Sequence, residues 1–473
     1  MTTQQDWKKF TSNIFRENPV FNNLDGLSHF LRLLLIKYLS DLSDLTDAQS
    51  NTISNYFSEM PNDVHWNNFV KAKYLGEELD NAVIKISDSN PKLKDIFGEA
   101  KFDKIPEKNL SEILSKFKDI KIGQLAFSLS SPFATVAENA IDFIARGKEF
   151  GGQYSPKWIT KLLVSLLNPQ ENTTIHDPVC GTGSLFIESA KFLAKSNADF
   201  STLEFSGQEI NKDVYQICQM NLLLHGLDNF EIQKGDTLRD PKFIEGKKLK
   251  NFDAVIANPP LILSDWGYEE AKLDRFERFR YGIPPKKNGD FAFIQHIIST
   301  LKDPSGKAVI LIPPGVLFRT GSSEQNIRSG IIDSGIIEAV IGLPTNLLYS
   351  TGIPTAILIL NRNKIENRKV LIIDANKEFQ KLTKGTNFLD DKNIENIISL
   401  YNNFQDQEGV AKVLTIEEIT SNDYQLNSNR YITTPRQVID IKKQMEELSQ
   451  MEEIRICLEN KMNQCLQELE IDL

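Results

Sequence analysis

Large apolar residues recur every three or four positions through the first quarter of the chain. Residues 27–44, which read LSHFLRLLLIKYLSDLSD, carry a clear example. This spacing places the apolar side chains on one side of an α-helix, and no run of β-branched residues favours a strand instead. The side chains of this stripe are Leu27, Phe30, Leu31, Leu34, Leu35, Tyr38 and Leu39. The pattern predicts an all-helical domain over residues 1–125.

From about residue 130 to residue 375, short apolar runs rich in isoleucine and valine alternate with helical stretches. The runs read TTIHDP, LEFSGQEI, FEIQKGD, FDAVIANPP, GKAVILIPP, IIEAVIGLP, TAILILNRN and KVLIID. Strands that alternate with helices are typical of βαβ units, which build a mostly parallel, doubly wound sheet. The last two runs follow closely on their predecessors, which predicts an antiparallel strand near one edge. The sequence thus predicts an α/β domain over residues 126–424.

The last segment, residues 425–473, contains apolar residues at steps of three and four. They are Val438, Ile441, Met445, Leu448, Met451, Ile454, Leu458, Met462, Leu466 and Leu469. This spacing predicts a long amphipathic helix. Such a helix either packs against its own chain or is presented to a partner, and its length at a chain end favours docking to a partner.

Composition adds limits to this picture. The chain has 473 residues, of which 40% are apolar and 25% charged, as expected for a globular protein of two or three domains. The apolar run LRLLLIKYLSDL is interrupted by Arg32, Lys37 and Asp41, so no segment is predicted to span a membrane. The N-terminal residues MTTQQDWKKF lack the apolar core of a signal peptide, and we therefore expect a cytoplasmic protein without a membrane partner.

Cysteine usage and charge narrow the possible chemistry. The four cysteines form no CxxC pair and have no histidine at a ligand spacing, which argues against zinc, and we expect no bound metal. The net charge is −10, which is unfavourable for a chain that binds DNA alone, because affinity for phosphates depends largely on lysine and arginine. If DNA is the substrate, a basic partner or a local basic stripe is required.

Three carboxylates are predicted at the ends of three successive strands. Asp177 precedes the turn that contains Gly181 and Gly183, which would let the backbone turn tightly against a ligand. Glu209 follows the next strand, 26 residues after Gly183, where an acidic residue of such a fold meets ribose hydroxyls. Asp236 follows the third strand. Together these residues predict a nucleoside pocket.

The tripeptide Asn258-Pro259-Pro260 follows the fourth run, FDAVIA. The two prolines lack N–H groups and restrict φ, so the neighbouring carbonyls have fixed directions and are free to accept hydrogen bonds. With the Asn258 side-chain oxygen, two fixed acceptors can face one NH2 group. This arrangement suits methylation of an exocyclic amine, because two acceptors orient the nitrogen toward an electrophilic methyl group without a strong base.

The ordered motifs GGQYSP, DPVCGTGS, GQEI, GDTL and NPPL resemble those of adenine-N6 DNA methyltransferases that use S-adenosylmethionine. With NGDFAFIQHIISTLK, GKAVILIPPGVLFR and NDYQLNSNRYI, the chain is similar over most of its length to the modification subunit of type I restriction-modification systems. The resemblance implies a Rossmann-like methyltransferase sheet. It also implies double-stranded DNA, a separate DNA-specificity subunit, a second copy of the chain and a restriction nuclease subunit as partners.

The resemblance also implies a role for each matching residue. Tyr154 and Pro156 should flank the methionine part of the cofactor, and Asp177, Gly181 and Gly183 its amino acid group. Glu209 should bind the ribose and Asp236 the adenine. The Asn258 side chain and the Pro259 carbonyl should hold the target amine. Asn258 should also border the cofactor. Pro260 and Leu261 complete the catalytic motif.

Leu261 departs from the phenylalanine or tyrosine that the family usually has after Pro-Pro, where the ring stacks on the flipped-out base. The departure predicts a slower site, unless Trp266 or Tyr268 supplies the ring. It also leaves open a weakly catalytic, cofactor-binding assembly or regulatory subunit. A protein-glutamine or RNA methyltransferase is a further alternative, because Asn-Pro-Pro also suits other amide and amine substrates.

Overall fold

The computed structural model describes residues 3–44, 56–69, 72–121, 128–147, 154–349, 352–363, 368–383, 385–433 and 441–468. The chain divides into two compact units, Met1–Ile432 and Thr433–Leu473. Among the described residues, no helix is both long and apolar enough to cross a bilayer. The division predicted at residue 125 stays a prediction, because the first unit continues across it.

Helices form the described part of the N-terminal region, as the 3.6-residue pattern predicts. They are α1 (Gln4–Glu17), α2 (Leu24–Ser43), α3 (Trp66–Phe69), α4 (Leu75–Ser89), α5 (Leu93–Phe97), α6 (Glu107–Phe117) and α7 (Pro132–Ala145). Helix α2 is buried on every side from Gly26 to Leu42, which exceeds the single apolar stripe that its sequence predicts. Its Arg32 is satisfied inside the protein, with Nε donating to the Phe97 carbonyl at 2.7 Å and Nη2 to Gln216 Oε1 at 3.0 Å.

The centre of the first unit is a sheet of nine described strands. These strands are β1 (Thr174–Asp177), β2 (Glu204–Glu209), β3 (Phe230–Lys234), β6 (Ala254–Ala257), β7 (Lys307–Ile312), β8 (Ile337–Gly342), β9 (Ala356–Asn361), β10 (Val370–Asp374) and β13 (Ala411–Leu414). Their order in the sheet is β13-β10-β8-β9-β7-β6-β1-β2-β3. Two hairpins lie outside it, β4 (Ile244–Glu245) with β5 (Lys248–Leu249) and β11 (Gln380–Thr383) with β12 (Thr386–Phe388). Each of the eight predicted runs forms a strand, so the predicted doubly wound α/β class is confirmed.

The placement of the antiparallel strands differs in part from the prediction. Strand β9 is antiparallel but lies inside the sheet, paired with β7 on one side and β8 on the other. Its successor β10 is parallel to β8. The antiparallel edge strand is β13, which lies after residue 375, beyond the last strand that the sequence predicts. The connection between β8 and β9 contains no described helix, so the two strands are joined without the helical crossover that parallel pairing usually needs.

Helices cover both faces of the sheet. They are α8 (Lys157–Leu167), α9 (Ser184–Lys195), α10 (Lys212–Leu224), α11 (Tyr268–Ala271), α12 (Asp290–Thr300), α13 (Ser322–Asp333), α14 (Asp391–Asn403), α15 (Ile416–Ser421) and α16 (Ser428–Tyr431). Ile256 packs in the core that contains α8, α9, α10 and α14, whereas its neighbour Val255 packs in the core that contains α12 and α13. Successive strand residues therefore enter opposite cores, as the pleat requires.

The strand order reverses at β1, which lies between β6 and β2. Parallel pairing of β1 with both neighbours brings their carboxyl ends to the same edge. Open α/β sheets bind ligands in the crevice that such a reversal leaves at the carboxyl ends of the strands. The motifs that follow β1, β2, β3 and β6 therefore meet at this edge.

The second unit contains helix α17 (Ile441–Glu468). Six of the predicted apolar positions are more than half exposed, namely Met445, Leu448, Met451, Ile454, Leu458 and Met462. Val438 and Leu469 lie outside the described residues. The predicted long amphipathic helix is thus present over 28 residues.

Candidate active site

The turn after β1 has the conformation that its glycines permit. Gly181 and Gly183 have φ values of 54° and 79°, in the left-handed region that favours glycine, and α9 begins at the next residue. A Cβ atom at Gly183 would lie 3.0 Å from the Cys218 sulfur. Position 183 is therefore restricted to glycine, both by its left-handed backbone conformation and by the nearby Cys218 sulfur.

Leucine in place of Gly183 is expected to lower S-adenosylmethionine affinity by at least tenfold, because the free turn should relax out of the left-handed conformation, and returning to it on binding costs a residue with a side chain about 1–2 kcal/mol before any clash. Calorimetric titration measures the affinity. The matched control is Gly246→Leu, because Gly246 also has a positive φ, of 63°, but has open space around it. Equal affinities in the two variants would contradict a role for the turn in binding.

Asp177 is buried at the carboxyl end of β1, and its Oδ1 accepts the Val179 N–H at 2.9 Å. Burial, together with the nearby Glu209, raises the pKa of the Asp177 carboxyl to about 8. A cationic group beside this carboxyl would stabilise its ionised form. The site therefore fits a ligand with an ammonium group, as the amino acid part of S-adenosylmethionine has.

Glu209 at the end of β2 is bound to the same turn. Its Oε2 accepts the Gly181 N–H at 3.1 Å and its Oε1 accepts the Asn211 N–H at 2.8 Å. Burial raises the pKa of this carboxyl. Glu209 thus positions the glycine turn in addition to the ribose contact that the resemblance implies.

Asp236 lies in the loop after β3 and is engaged within that loop. Its Oδ1 accepts the Leu238 N–H at 2.8 Å, and its Oδ2 pairs with Arg239 Nη1 at 2.8 Å. The buried Arg278, from the segment after β6, donates to the Leu238 carbonyl at 2.8 Å. The loop predicted to bind the cofactor adenine is therefore held by Arg278, a residue that sequence reasoning missed.

Tyr154 and Pro156 precede α8, and Pro156 is its N-cap residue. The Tyr154 ring lies parallel to Tyr349, with centroids 6.2 Å apart, and burial raises the pKa of its phenol. Trp158 Nε1 donates to the Leu347 carbonyl at 2.9 Å. The segment after β8 is thereby held against the start of α8.

Asn258 follows β6 directly, one strand from Asp177. Its Nδ2 donates to Ser155 Oγ at 2.8 Å, so among the described residues the Oδ1 atom remains available to accept a hydrogen bond. Pro259 is buried and Pro260 is exposed. Sequence reasoning missed Ser155, although it lies between the two predicted residues Tyr154 and Pro156.

The segment after Pro260 has an unusual conformation. Leu261 is half-buried, and Ile262 has a φ of 60° and is 51% exposed. The Ile262 N–H donates to Asp290 Oδ1 at 3.2 Å, and Asp290 Oδ2 pairs with Arg319 Nη2 at 2.9 Å. The motif NGDF, whose Asp290 begins α12, therefore holds the loop that carries Leu261.

Trp266 is wrong as a candidate for stacking on a base. Its ring is 1% exposed, and its Nε1 donates to the Pro285 carbonyl at 3.0 Å. It packs with Phe293 in a small apolar cluster that fixes the segment after β6. Tyr268 is partly exposed, but Lys272 lies over its ring, with Nζ 4.6 Å from the ring centroid.

The reversed strand order, the glycine turn and the acidic strand ends fit a Rossmann-like methyltransferase that uses S-adenosylmethionine. A family model described as N-6 DNA Methylase matches residues 133–439, and one described as HsdM N-terminal domain matches residues 7–117. The chain belongs to the N-6 DNA methylase family. The predicted resemblance to type I modification subunits is confirmed by these matches and by the following relatives.

The chain is 33% identical to the type I restriction enzyme MjaVII methylase subunit of Methanocaldococcus jannaschii, over 93% of this chain and 79% of that one. It is 29% identical to the HindI methylase subunit of Haemophilus influenzae, over 83% of this chain and 89% of that one. The crystal structure of a type I methyltransferase subunit from Streptococcus thermophilus matches with a TM-score of 0.78 and 26% identity, and covers 91% of this chain and 100% of that one.

Proposed function

We propose that this chain is the modification subunit of a type I restriction-modification system and transfers a methyl group from S-adenosylmethionine to adenine N6 in double-stranded DNA. The observation that carries the proposal is the Asn258 amide, whose Nδ2 is bound to Ser155 Oγ at the carboxyl end of β6. Its free oxygen and the carbonyl of Pro259 are the two acceptors for the adenine amine. Asp177, one strand away, is next to the turn that binds the methyl donor.

The bound cofactor supplies an electrophilic methyl group, and the residues of this chain orient the two reactants. Asp177 and the glycine turn hold the amino acid part of the cofactor, Glu209 its ribose and Asp236 its adenine. Tyr154 and Pro156 border its methionine chain. Asn258 and Pro259 hold the two amine hydrogens, so that the nitrogen lone pair points at the methyl group. Pro260 and Leu261 border the base.

Partners supply what the chain lacks. A net charge of −10 favours recognition of DNA through a separate specificity subunit, because acidic residues outnumber the lysines and arginines that could bind phosphates. We assign docking of that subunit to α17, whose apolar stripe is exposed. A second copy of this chain and a restriction subunit complete the assembly, which acts in the cytoplasm.

Modified-base sequencing of host DNA tests the function. Deletion of either this gene or its specificity gene should remove N6-methyladenine from one sequence motif, and expression of both should restore it. A motif that stays methylated without this gene would refute the proposal. Methylated RNA or protein glutamine with unmethylated DNA would favour the alternative substrates, and no methylation at all would favour an assembly subunit.

Removal of residues from 436 onward is expected to abolish co-purification with the specificity subunit. A double variant tests the stripe itself, because glutamate at both Leu448 and Leu458 places charge on the apolar side of α17. Glutamate at Gln450 and Asn460, on the other side of the helix, is the matched control. Normal assembly of the truncated chain would mean that α17 is not the docking surface.

Phenylalanine at Leu261 is expected to raise the rate of methyl transfer several-fold. Aromatic stacking contributes ~1–3 kcal/mol per base in proteins that bind unpaired bases, and leucine provides only apolar contact. Aspartate at Leu261 should nearly abolish transfer, because it places a charge against the base. Single-turnover assays of the reconstituted complex measure both rates. An unchanged rate in both variants would show that the side chain at position 261 does not contact the base.

A further inference from the structure

A cavity lies at the amino edge of the sheet, opposite the edge that carries the cofactor turn. It has a volume of about 660 Å³, within the range of small-molecule sites. Its walls come from the residues just before β8 and β10 and just after the antiparallel strands β9 and β13. Strands of five or six residues span about 17–20 Å, so a ligand here would be well separated from one at the carboxyl edge.

Positive charge dominates the described walls of this cavity. The cations are Arg280, Arg362, Arg368 and Lys369, and the carboxylates are Asp303 and Glu417. Among the described residues, no carboxylate oxygen lies within 4.0 Å of a side-chain nitrogen of any of the four cations. The cavity therefore has an excess of positive charge and no ion pair that neutralises it, in a chain whose net charge is −10.

Carbonyl groups, which have no net charge, hold two of these guanidinium groups at the wall. Arg362 Nη2 donates to the Ile298 carbonyl at 2.6 Å. Arg368 is buried, and its Nη1 donates to the Asn361 carbonyl at 2.8 Å. Both side chains are thus fixed in position, while their charges have no counter-charge among the described residues.

This arrangement is unfavourable without an anion. Burial and the nearby charge of Arg280 lower the pKa of the Arg362 guanidinium, and burial lowers the pKa of Arg368. Arginine stays protonated in proteins even so, because its ordinary pKa is above about 12, and losing a proton cannot relieve the strain. An anion between the guanidinium groups would stabilise their charged forms.

The chemistry of the walls favours phosphate oxygens. The planar fork of a guanidinium group matches two oxygens of one phosphate, and its charge strengthens both hydrogen bonds. One terminal phosphate carries about 1.5–2 negative charges, so several cations around one cavity match a chain of phosphates better than a single carboxylate. The volume is also larger than one inorganic phosphate needs.

We propose that this cavity binds the polyphosphate group of a small diffusible ligand, held by its three arginines and by Lys369. The ligand is a nucleoside polyphosphate or an inorganic polyphosphate, which present the same oxygens to these cations. The inference does not rest on the proposed function, because methyl transfer uses the opposite edge of the sheet. For the same reason the backbone of DNA bound at the carboxyl edge is the less favoured source of phosphate.

Calorimetric titration of the full-length chain with inorganic triphosphate and with ATP tests the site. Saturating S-adenosylmethionine in every titration keeps ATP out of the cofactor site. Arg280 and Lys369 are exposed, so alanine at either position should preserve the fold and weaken binding about tenfold, as expected for one hydrogen bond to a charged group. Arg275→Ala and Lys377→Ala remove exposed cations outside the cavity and are the matched controls, which should bind like wild type.

Tighter binding of ATP than of triphosphate would assign a nucleoside polyphosphate to the cavity, and equal affinities would assign a polyphosphate without a nucleoside. The inference is overturned if neither probe binds, or if the control variants lose as much affinity as the cavity variants. It is also overturned if only a DNA duplex without the recognition site binds through Arg280 and Lys369, since the cations would then contact the DNA backbone. Methyl transfer by the reconstituted complex tests the proposed function separately.

Discussion

Replacing Asn258 with alanine is expected to leave S-adenosylmethionine affinity unchanged and to lower the rate of methyl transfer by about 10²–10³-fold, the usual effect of removing one fixed polar group that orients and stabilises the reacting atoms. In this variant the amine keeps the Pro259 carbonyl as an acceptor but loses the Asn258 side-chain oxygen. Among the described residues, the Asn258 amide donates to Ser155, whereas Asp177 and the glycine turn are held by other hydrogen bonds. Single-turnover transfer and calorimetric titration separate the two effects.

Two further variants make this result specific. Asn251→Ala changes an exposed asparagine before the other end of β6, where the Nδ2 group donates to the Ser299 carbonyl, and should transfer methyl groups at the wild-type rate. Ser155→Ala removes the acceptor of the Asn258 Nδ2 group, so the amide can rotate. Its rate should fall between those of wild type and Asn258→Ala. Full activity in Asn258→Ala would remove Asn258 from the mechanism.

Most of the fold follows from local patterns in the sequence. All eight apolar runs between residues 174 and 374 form strands, because each is short, β-branched and bounded by turn residues. Strand pairing is not local, which is why β9 was expected near an edge and lies between β7 and β8. Helix α2 is a second example of a non-local contact. Its sequence predicts one buried side, but α10, a helix about 180 residues later, packs against it as well.

The predicted site residues follow strand ends, and their relative positions follow from parallel pairing. Ser155 and Asp290 could not be assigned roles from sequence, because each acts through one contact with a distant segment, at Asn258 and at Ile262. Glu209 is a mixed case. Its position suggests a ribose contact, whereas its hydrogen bond to the Gly181 N–H also gives it a part in holding the turn. Glu209→Ala should therefore weaken cofactor binding by more than the loss of a ribose contact alone.

Asparagine at Asp177 is expected to lower S-adenosylmethionine affinity at least 100-fold, because the ammonium group of the cofactor loses a buried counter-charge. Asp177 is 1% exposed, and burial with the nearby Glu209 raises its pKa to about 8. In the protein without cofactor the carboxyl is therefore mostly protonated at pH 7. The bound ammonium favours the carboxylate, so binding at pH 7 should release close to one proton per cofactor.

The sign of the pH dependence follows from this raised pKa. Wild-type affinity should increase as the pH rises from 6 toward 8, because less free energy is then needed to ionise Asp177. It should level off near pH 8, where an α-amino group with an ordinary pKa of about 7.7–8.0 begins to lose its charge. Without cofactor, the folded state favours the protonated carboxyl, so this group lowers stability progressively as the pH rises from its unfolded pKa of about 4 to about 8.

Calorimetry at pH 7 in two buffers of different ionisation enthalpy measures the proton release directly. Asp177→Asn should abolish both the release and the increase in affinity below pH 8. The control is Glu204→Gln, which changes an exposed carboxyl at the amino end of β2, opposite the edge that carries Glu209. It should match wild type in both measurements. If Asp177→Asn still released a proton on binding, the proton would come from another group, and Asp177 would not be the counter-charge of the cofactor.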